Sequence, residues 1–527
     1  MRNLIAAVLF GLPLAAGAGT WQPLKNQPPM PDIVDPTTLS FLSPGGASFP
    51  ILLTDGSVIV QNNSANGFAD GRVFKLTPDN QGNYLNGTWS EIASMPYIPT
   101  AAAQAVLADG RVLIEGGEFL GVYEQFLLTN QGAIYNPVAN TWTSVAPPPF
   151  FIDLYPPRAV FAPNPIGDAG SVVLADGSFM LQDKMSRQAA LLDLTTMTWT
   201  EVGTATKHDM NDEEGWTLLP NGKVLTVDCY TDFIFGLISH YPKDPTNSEI
   251  FDPVTRTWSS AGSTLNTLTD RALAETGPAL LRPDGTVFAV GSQGFTSIYN
   301  VAKGTWTLGP RLALSPKGFQ LTAQDAPGAL LPNGRVLFAA SGGKSHKFNY
   351  TSPPVYFLEF DGFNYTLEPD IPNFKNDVSG SIVLLVLPTG QVLEADGTKD
   401  IEIYTPDNPA PSASWAPVVQ QWPSFVASAH TYTLQGIRFN GMSQGSAFGD
   451  ESQNATNYPI VRLTNIQSHR VFYCRTHNHS SMAVASNDVV STQFDVPAVL
   501  DSGPSLLEVV ANGIPSKAVA VTVGHSQ

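Results

Sequence analysis

The sequence predicts an all-β protein with seven repeated four-stranded units, followed by a β-sandwich. Three observations predict this fold class. A tight turn ending in glycine recurs seven times between apolar strands, tryptophan closes most of the repeats, and strand-like alternation continues without the repeat after about residue 412. The composition agrees, because Gly 45 and Pro 43 in 527 residues supply turns while 43% hydrophobic residues can form a core.

The repeated turns set the spacing of the units. Each turn has Asp, Asn or Thr before its glycine, and Asp-Gly and Asn-Gly favour hairpins because the turn requires a positive φ. The seven glycines are Gly56, Gly110, Gly177, Gly222, Gly285, Gly334 and Gly390. Four-stranded units of roughly 50 residues are typical of kelch-type blades, so we predict a seven-bladed kelch-type β-propeller.

The third and fourth strands of the units carry an aromatic signature. An apolar pair is followed by a turn and then Thr-Trp, which places an aromatic or aliphatic residue beside a tryptophan. The tryptophans are Trp89, Trp142, Trp199, Trp258 and Trp306, and Tyr365 takes this place in the sixth unit.

The two ends of the repeat array are predicted to meet. The seventh unit has a third strand at 401–404 but no tryptophan-bearing fourth strand, whereas Thr20–Leu24 is such a strand without a unit. We therefore expect residues 19–412 to form the propeller, closed by the N-terminal strand, because closure removes an open sheet edge. Residues 413–527 alternate as strands and are expected to form an immunoglobulin-like (early-set) sandwich.

The N-terminus indicates export. Residues 1–18 resemble a signal peptide, with Arg2, an apolar run and small residues at Ala16-Gly17-Ala18. No stretch is long enough to predict a transmembrane segment. We therefore expect a secreted protein. We also expect it to be a monomer. Glycosylation sequons occur at Asn62, Asn86, Asn349, Asn364, Asn454 and Asn478.

Two bulk properties bear on partners and redox state. A net charge of −18 excludes nucleic acid as a partner, because no basic stripe offsets phosphate repulsion. Cys229 and Cys474 could pair, but they lie in different predicted domains, and the sequence leaves their state open.

A candidate site follows from the position of each inner strand. Counting back nine or ten residues from the turn glycines reaches the mouth of the predicted channel, and this places Asp212, Glu213, Glu275 and Asp325 there. Such acids could bind a hard cation, exchange protons with a small-molecule or glycan ligand, or simply be hydrated. In a regular strand Asp212 and Glu213 could not both face the channel, because neighbouring side chains alternate.

The predicted sandwich adds two histidines. His477 and His479 lie two residues apart and could face the same side as metal ligands, or as a base with its partner. An ordinary surface hairpin is an equally good interpretation. We expect His477 to close the acidic site from above.

These features together resemble galactose oxidase and its relatives, over nearly all of the mature chain. The most specific segments are Thr206-Lys207-His208-Asp209-Met210 and Thr476-His477. In that family two tyrosines and two histidines hold copper, and one tyrosine is cross-linked to a cysteine. Asp212 stands at the position of the cysteine, Thr276 at that of the cross-linked tyrosine, and Gly380-Ser381 at that of a tyrosine–histidine pair.

Only His477 matches the ligand set that this resemblance implies, so a copper–tyrosyl radical is not expected and the cofactor stays open. The chain also resembles secreted Kelch-like proteins, through Asn211–Trp216 and Asn457-Tyr458-Pro459. Some of these are fungal and are encoded with polyketide genes of the terrein type. The resemblance implies an accessory or enzymatic role in secondary-metabolite biosynthesis on a small oxygenated substrate. A non-catalytic propeller that binds glycan or protein, and a structural protein with a vestigial site, are the alternatives.

Overall fold

The computed structural model describes residues 15–16, 19–151, 164–229, 246–270, 275–342 and 351–524. These residues form an all-β protein, which confirms the predicted class. Helical structure among them is limited to the 3₁₀ turns Tyr84–Asn86 and Ser379–Ser381. No helix in this part of the chain is long and apolar enough to cross a membrane.

Seven sheets of antiparallel strands follow one another along the described chain. Sheet 1 contains Ala47–Leu52, Val58–Ser64, Phe68–Thr77 and Thr88–Ile92. Sheet 2 contains Ala103–Val106, Val112–Glu115, Gly132–Asn136 and Thr141–Val145. Sheet 3 contains Ser171–Val173, Phe179–Gln182, Ala189–Asp193 and Thr198–Val202. Sheet 4 contains Thr217–Leu218, Val224–Val227, Ser248–Asp252 and Thr257–Ser260.

The remaining three sheets have the same plan with additions at their edges. Sheet 5 contains Ala279–Leu281, Thr286–Val290, Thr296–Asn300 and Thr305–Leu308. Sheet 6 contains Gly328–Leu330, Val336–Gly342, Val355–Phe360 and Tyr365–Leu367, with Leu321–Thr322, Ser446–Ala447 and Ala15–Ala16 added. Sheet 7 contains Val383–Val386, Val392–Ala395, Glu402–Thr405 and Thr20–Pro23. We call the first strand of each set of four the inner strand.

The turn glycines behave as their sequence context predicts. All seven have a left-handed backbone, with φ from +76° at Gly56 to +89° at Gly177. Each joins the inner strand of a sheet to the next strand, so the left-handed residue is what allows the tight reversal.

The tryptophans pair with the third strands and connect neighbouring sheets. Trp142 lies directly opposite Tyr135, with ring centroids 5.0 Å apart, and its indole N–H donates to the carbonyl of Ala93, 2.8 Å away and beyond sheet 1. In sheet 7 the place of this strand is taken by Thr20–Pro23, where Trp21 lies opposite Tyr404. The Trp21 ring also packs 4.8 Å from Phe357 of sheet 6.

Beyond the seventh sheet, nine strands form one further sheet, which we call the C-terminal sheet. Its strands are Val418–Gln421, Phe425–Ala427, Thr431–Ile437, Ile460–Asn465, Val471–His477, Val490–Asp495, Gly503–Ala511, Ile514–Pro515 and Val519–Gly524. Val471–His477 pairs with Ile460–Asn465 on one side and with Val490–Asp495 on the other. Leu434, Val461, Phe494 and Leu507 belong to the buried core of this sheet.

The segment 442–458, which we call the central loop, leaves the C-terminal sheet and runs along the inner strands. Ser446–Ala447 pairs with Gly328–Ala329 of sheet 6, and the Gln444 side chain accepts from the backbone N–H of Leu218 in sheet 4 at 2.7 Å. The Tyr458 hydroxyl donates to the carbonyl of Leu52 in sheet 1, and the Ser452 N–H donates to Ala102 beside sheet 2. The loop is therefore held between the inner strands of several sheets.

Two short sheets cover the ends of sheets 1 and 2. One pairs Ile33–Val34 with Phe41–Ser43. The other pairs Phe119–Leu120 with both Pro99–Thr100 and Gln125–Phe126.

The structure shows whether the two cysteines pair and which sequon asparagines are exposed. Cys229 and Cys474 are both buried and free, so they do not pair. Asn62 is 1% and Asn454 is 5% exposed, and the Asn62 amide N–H₂ donates to Asp70 at 2.7 Å. A glycan on either buried amide would have no space, so the prediction of glycosylation at Asn62 and Asn454 is corrected.

Asn364 and Asn478 are exposed, and Asn86 is half-buried. Asn349 lies outside the described residues, as does the predicted signal peptide apart from Ala15–Ala16.

Candidate acidic site

A cavity of about 260 Å³ opens at the end of the inner strands opposite the glycine turns. Its wall contains eight carboxylic acids, which come from the segments before the inner strands, from the segments after second strands and from the central loop. They are Glu118, Asp168, Glu213, Glu275, Asp325, Asp396, Asp450 and Glu451. Among the described residues that line it, none is His, Cys or Tyr, so the side chains available to a ligand are mostly oxygen donors.

Three of the predicted acids come together here. Glu213, Glu275 and Asp325 each place a carboxylate oxygen within 4.8 Å of the other two. Each lies just before the inner strand of its sheet, so the common register of sheets 4, 5 and 6 is what brings the three together.

The fourth predicted acid, Asp212, is adjacent, and the alternation argument does not hold for it. Asp212 and Glu213 both reach the ammonium of Lys184, with Oδ1 at 3.2 Å and Oε1 at 2.8 Å. The reason is local: the inner strand begins only at Thr217, and Glu213 has a left-handed backbone with φ of +62°. Strand periodicity therefore does not apply to this pair.

Lys184 is the residue of the candidate site that the sequence patterns missed most clearly. It follows the second strand of sheet 3, is 6% exposed, and contacts Asp168, Asp212 and Glu213. Burial by itself would lower the pKa of this lysine, but the three neighbouring carboxylates raise it well above its ordinary value. Counting back from turn glycines examines only the approach to the inner strand, so it could not find a residue after the second strand.

Asp450 and Glu451 were also missed, because they come from the central loop. Oxygens of Asp168, Glu213 and Asp450 lie within 4.8 Å of one another. Asp450 is 2% and Asp168 is 6% exposed, yet Oδ2 of the first and Oδ1 of the second accept no hydrogen bond. The adjacent acids in a segment without strand alternation were the available signal.

The pKa values of these acids are shifted because they are buried close to one another. Burial raises the pKa of Asp325 to about 8 and that of Glu118 to about 9. Burial, reinforced by Asp325, also raises the pKa of Glu275 well above its usual range. Burial opposes ionisation of Glu213 too, but Lys184 outweighs it and holds the pKa of Glu213 below its usual range. The positive charge of one lysine therefore compensates for only some of the acids in the cluster.

His477 lies elsewhere, and its expected role is corrected. Its Nε2 is 3.1 Å from Oδ1 of Asp495 on the adjacent strand. The preceding residue, Thr476, donates its N–H to Thr54 in the turn of sheet 1, at the end of the inner strands away from the acids. His477 cannot close the cavity because its strand packs on the turn side, and the central loop closes it instead.

His479 is likewise separate from the acids. It is 7% exposed, and its Nδ1 lies 2.8 Å from Thr492 Oγ1. Burial lowers the pKa of His479 to about 3, which keeps the ring neutral. Among the described residues, neither histidine belongs to a group of three or more potential metal ligands.

Comparisons with known proteins give a distant likeness in structure alone. No family model matches the sequence, and the search of curated proteins gives no match. A fungal alcohol oxidase of the AA5 family, solved with copper, is 15% identical over 92% of this chain and 86% of its own, with a TM-score of 0.41. The protein YjhT is 14% identical over 72% of this chain and 96% of its own, with a TM-score of 0.37.

A third matching structure is considerably longer than this chain. An extracellular domain assigned to a hybrid two component system of B. thetaiotaomicron is 10% identical over 98% of this chain, with a TM-score of 0.44, and this chain spans 60% of it. Similarity at this level says nothing about the activity of the present protein.

Proposed function

We propose that the acidic cavity binds a hard divalent cation and, through it, a small oxygen-rich molecule. The observation that carries this proposal is the convergence of Glu213, Glu275 and Asp325, with oxygens within 4.8 Å of one another, in a cavity that also contains unpaired buried oxygens of Asp168 and Asp450. Calcium takes six to eight oxygen ligands, and magnesium takes carboxylates and water.

Charge favours a cation over an empty hydrated cavity. Lys184 contacts Asp168, Asp212 and Glu213, but Glu275 and Asp325 have no lysine or arginine partner in the described structure. Burying ionised carboxylates without partners is costly, so they must take up protons or a metal ion. A dication at this point would replace the protons that burial otherwise imposes.

The size of the cavity limits the ligand. A volume of about 260 Å³ is that of about eight or nine water molecules at ~30 Å³ each. That space suits one cation together with a sugar-sized or smaller molecule. Hydroxyl, carboxylate and carbonyl oxygens are the ligand groups that a hard cation would hold.

The chemistry that fits these residues is proton transfer rather than electron transfer. Near neutral pH, Glu118, which lines the cavity outside the three proposed ligands and whose pKa burial raises to about 9, can donate a proton. We therefore propose an enzyme that performs acid–base chemistry on a small oxygenated substrate. A hydroxylated polyketide intermediate of a secondary-metabolite pathway belongs to this substrate class.

A glycan-binding module without catalysis is the second candidate, and the rim of the cavity favours it. Phe49 and Phe119 line the cavity, and Tyr123 and Phe126 on the adjoining hairpin are 46% and 45% exposed. Aromatic faces of this kind provide an apolar surface for a sugar ring. Recovery of an unchanged ligand after incubation would favour this candidate over the enzyme.

The architecture belongs to the same proposal. The seven sheets would be blades of a β-propeller over residues 19–412, with residues 413–527 an immunoglobulin-like sandwich whose central loop enters the channel. Contacts between inner strands of sheets 6 and 7, and of sheets 7 and 1, support a closed ring. We also propose secretion, with residues 1–18 removed and glycans on exposed Asn364 and Asn478.

Titration calorimetry tests the cation site. Chelator-treated full-length protein would be titrated separately with CaCl₂, MgCl₂ and MnCl₂. We expect E275Q/D325N to weaken binding of the preferred ion at least tenfold. E91Q/D488N removes two acids outside the cavity and serves as the matched control. Equal binding by the wild type and E275Q/D325N would overturn the cation proposal.

A further inference from the structure

A second polar cluster lies at the edge of sheet 4, outside the acidic cavity. It contains the buried Lys207 and four acids, Asp209, Glu214, Asp228 and Glu249, with His208 at its surface. Sequence patterns single out the segment Thr206–Met210, but nothing in the proposed cavity chemistry uses it. The cluster differs from the cavity in containing an imidazole nitrogen.

We propose that His208, Asp209 and Asp228 form a second metal site, one that takes a divalent first-row metal such as Zn²⁺. One ligand atom of each residue lies within 4.8 Å of the other two. His208 Nδ1 is 3.1 Å from Asp228 Oδ2. Neighbouring ligands around a metal with bonds of about 2.1 Å are separated by about 3 Å, so this pair already has the required spacing.

The strongest independent sign of a ligand is an oxygen of Asp228. The residue is 0% exposed, and its Oδ1 accepts no hydrogen bond. An unsatisfied buried carboxylate oxygen costs free energy, and a metal bond is one way to recover it. The other oxygen, Oδ2, is held by the side-chain amide of Asn247 as well as by His208.

Each candidate ligand is oriented by a further contact. The backbone N–H of His208 donates to Glu249 Oε1 at 2.9 Å, which fixes the start of the imidazole side chain. Lys207 holds Oδ1 of Asp209, while it also contacts Glu214 Oε1 at 2.9 Å and Glu249 Oε2 at 2.5 Å. Metal ligands in proteins are usually held by outer contacts of this kind.

The charge of the cluster also fits a dication. Among the described residues, Lys207 is the one ammonium that contacts these acids, and full ionisation of the four acids and the lysine would leave three negative charges on this group. A divalent ion at Asp209 and Asp228 would compensate for most of this excess.

The ligand set separates this site from the cavity. Carboxylate oxygens alone suit calcium, magnesium or manganese, whereas imidazole suits zinc, copper, iron and nickel. The His208 side chain is 46% exposed, so the metal would have a solvent-facing side where water can complete its coordination.

Zinc titration of the chelator-treated full-length protein tests this inference. We expect the wild type to bind one ZnCl₂ equivalent that H208A binds at least tenfold more weakly. His469, an exposed histidine in the turn between Ile460–Asn465 and Val471–His477, provides the matched control H469A, which should bind zinc as the wild type does. Cobalt substitution should give a visible d–d absorption band that H208A lacks.

The two proposed sites can fail separately. E275Q/D325N should retain the zinc site, and H208A should retain the calcium or magnesium response of the cavity. Because His208 is half exposed, H208A is expected to fold, and circular dichroism would check this. Wild-type zinc affinity in H208A, or no cobalt band in the wild type, would overturn the second site.

Discussion

At the scale of single residues, two buried lysines organise the acids of this protein. The Lys184 side chain is 8% exposed and that of Lys207 is 0% exposed, and each contacts three carboxylates. Removing one partner from a buried ion pair is more damaging than the net value of the pair, because the remaining charges stay buried without compensation. Each lysine is therefore expected to be essential to its cluster.

Replacing Lys184 by methionine tests this expectation. The change keeps an unbranched side chain that is one atom shorter but leaves Asp168, Asp212 and Glu213 without an ammonium, so we expect a loss of about 3–5 kcal/mol in the free energy of unfolding. Denaturant unfolding would measure it, with K303M at an exposed position as the control. An unchanged midpoint in K184M would show that the lysine does not compensate for these acids.

Whether the sequence could predict a site residue depended on where that residue lies relative to a strand. Glu213, Glu275 and Asp325 were found because each precedes an inner strand, a position that the turn glycines reveal. Asp450 reaches the same cavity from a distant segment, and Lys184 contacts two of the cavity acids, Asp168 and Glu213, from a loop that follows a strand. Their proximity depends on packing over long sequence separations, which no local pattern encodes.

At the scale of elements, the second and third strands of sheet 7 carry a buried pair of acids. Glu394 lies directly opposite Glu402, with 0% and 1% exposure. Burial raises the pKa of Glu402 to about 7, and burial with Asp396 and Glu402 nearby raises that of Glu394 well above its usual range. Such a pair is compatible with the sheet while it retains its protons, because opposed like charges destabilise adjacent strands.

This pair predicts a pH dependence. The folded-state pKa of Glu402 lies above its value in the unfolded chain, so the unfolded chain loses its proton first as pH rises. The stabilisation is full below about pH 4.5 and is lost as pH rises through about 7. We expect unfolding free energy to fall by roughly 1–3 kcal/mol between pH 5 and pH 8 through this residue.

Denaturant unfolding at pH 5, 6.5 and 8 would measure the effect, and E402Q should flatten the curve because the amide does not titrate. E91Q, an exposed acid in sheet 1, should keep the wild-type slope. A slope in E402Q equal to that of the wild type would rule out Glu402 as its source.

At the scale of the whole molecule, the central loop joins the C-terminal sheet to the inner strands. Its contacts reach Leu52, Leu218, Ala329 and Val386, which belong to sheets 1, 4, 6 and 7. It also supplies Asp450 and Glu451 to the acidic cavity. The cavity is therefore complete only when the C-terminal part of the chain is in place.

These contacts predict a single cooperative unfolding transition. The C-terminal sheet cannot melt without withdrawing the loop, so we expect one calorimetric peak. Y458F removes the hydroxyl that donates to Leu52 and should reduce the free energy of unfolding by about 1–2 kcal/mol. The whole peak should therefore move to a lower temperature. Y123F, at an exposed tyrosine, should leave it in place. Two peaks, with Y458F moving only one, would contradict this prediction.

The sequence by itself determined the repeating elements. Strand alternation, positive-φ glycines and the tryptophan pairs within a unit are local properties, and the structure shows them at the expected residues. Local patterns suffice for these features because turn geometry and cross-strand packing involve residues close together in the chain or related by the repeat.

Only the tertiary structure decided the composition of the site. It placed Lys184 and Asp450 beside Glu213, and it placed His477 at the opposite end of the inner strands. Asp212 and Glu213 share one lysine because the approach to sheet 4 leaves the regular strand conformation. These outcomes depend on how separate segments pack around a common buried charge, and that balance of burial and ion pairing is a property of the assembled fold.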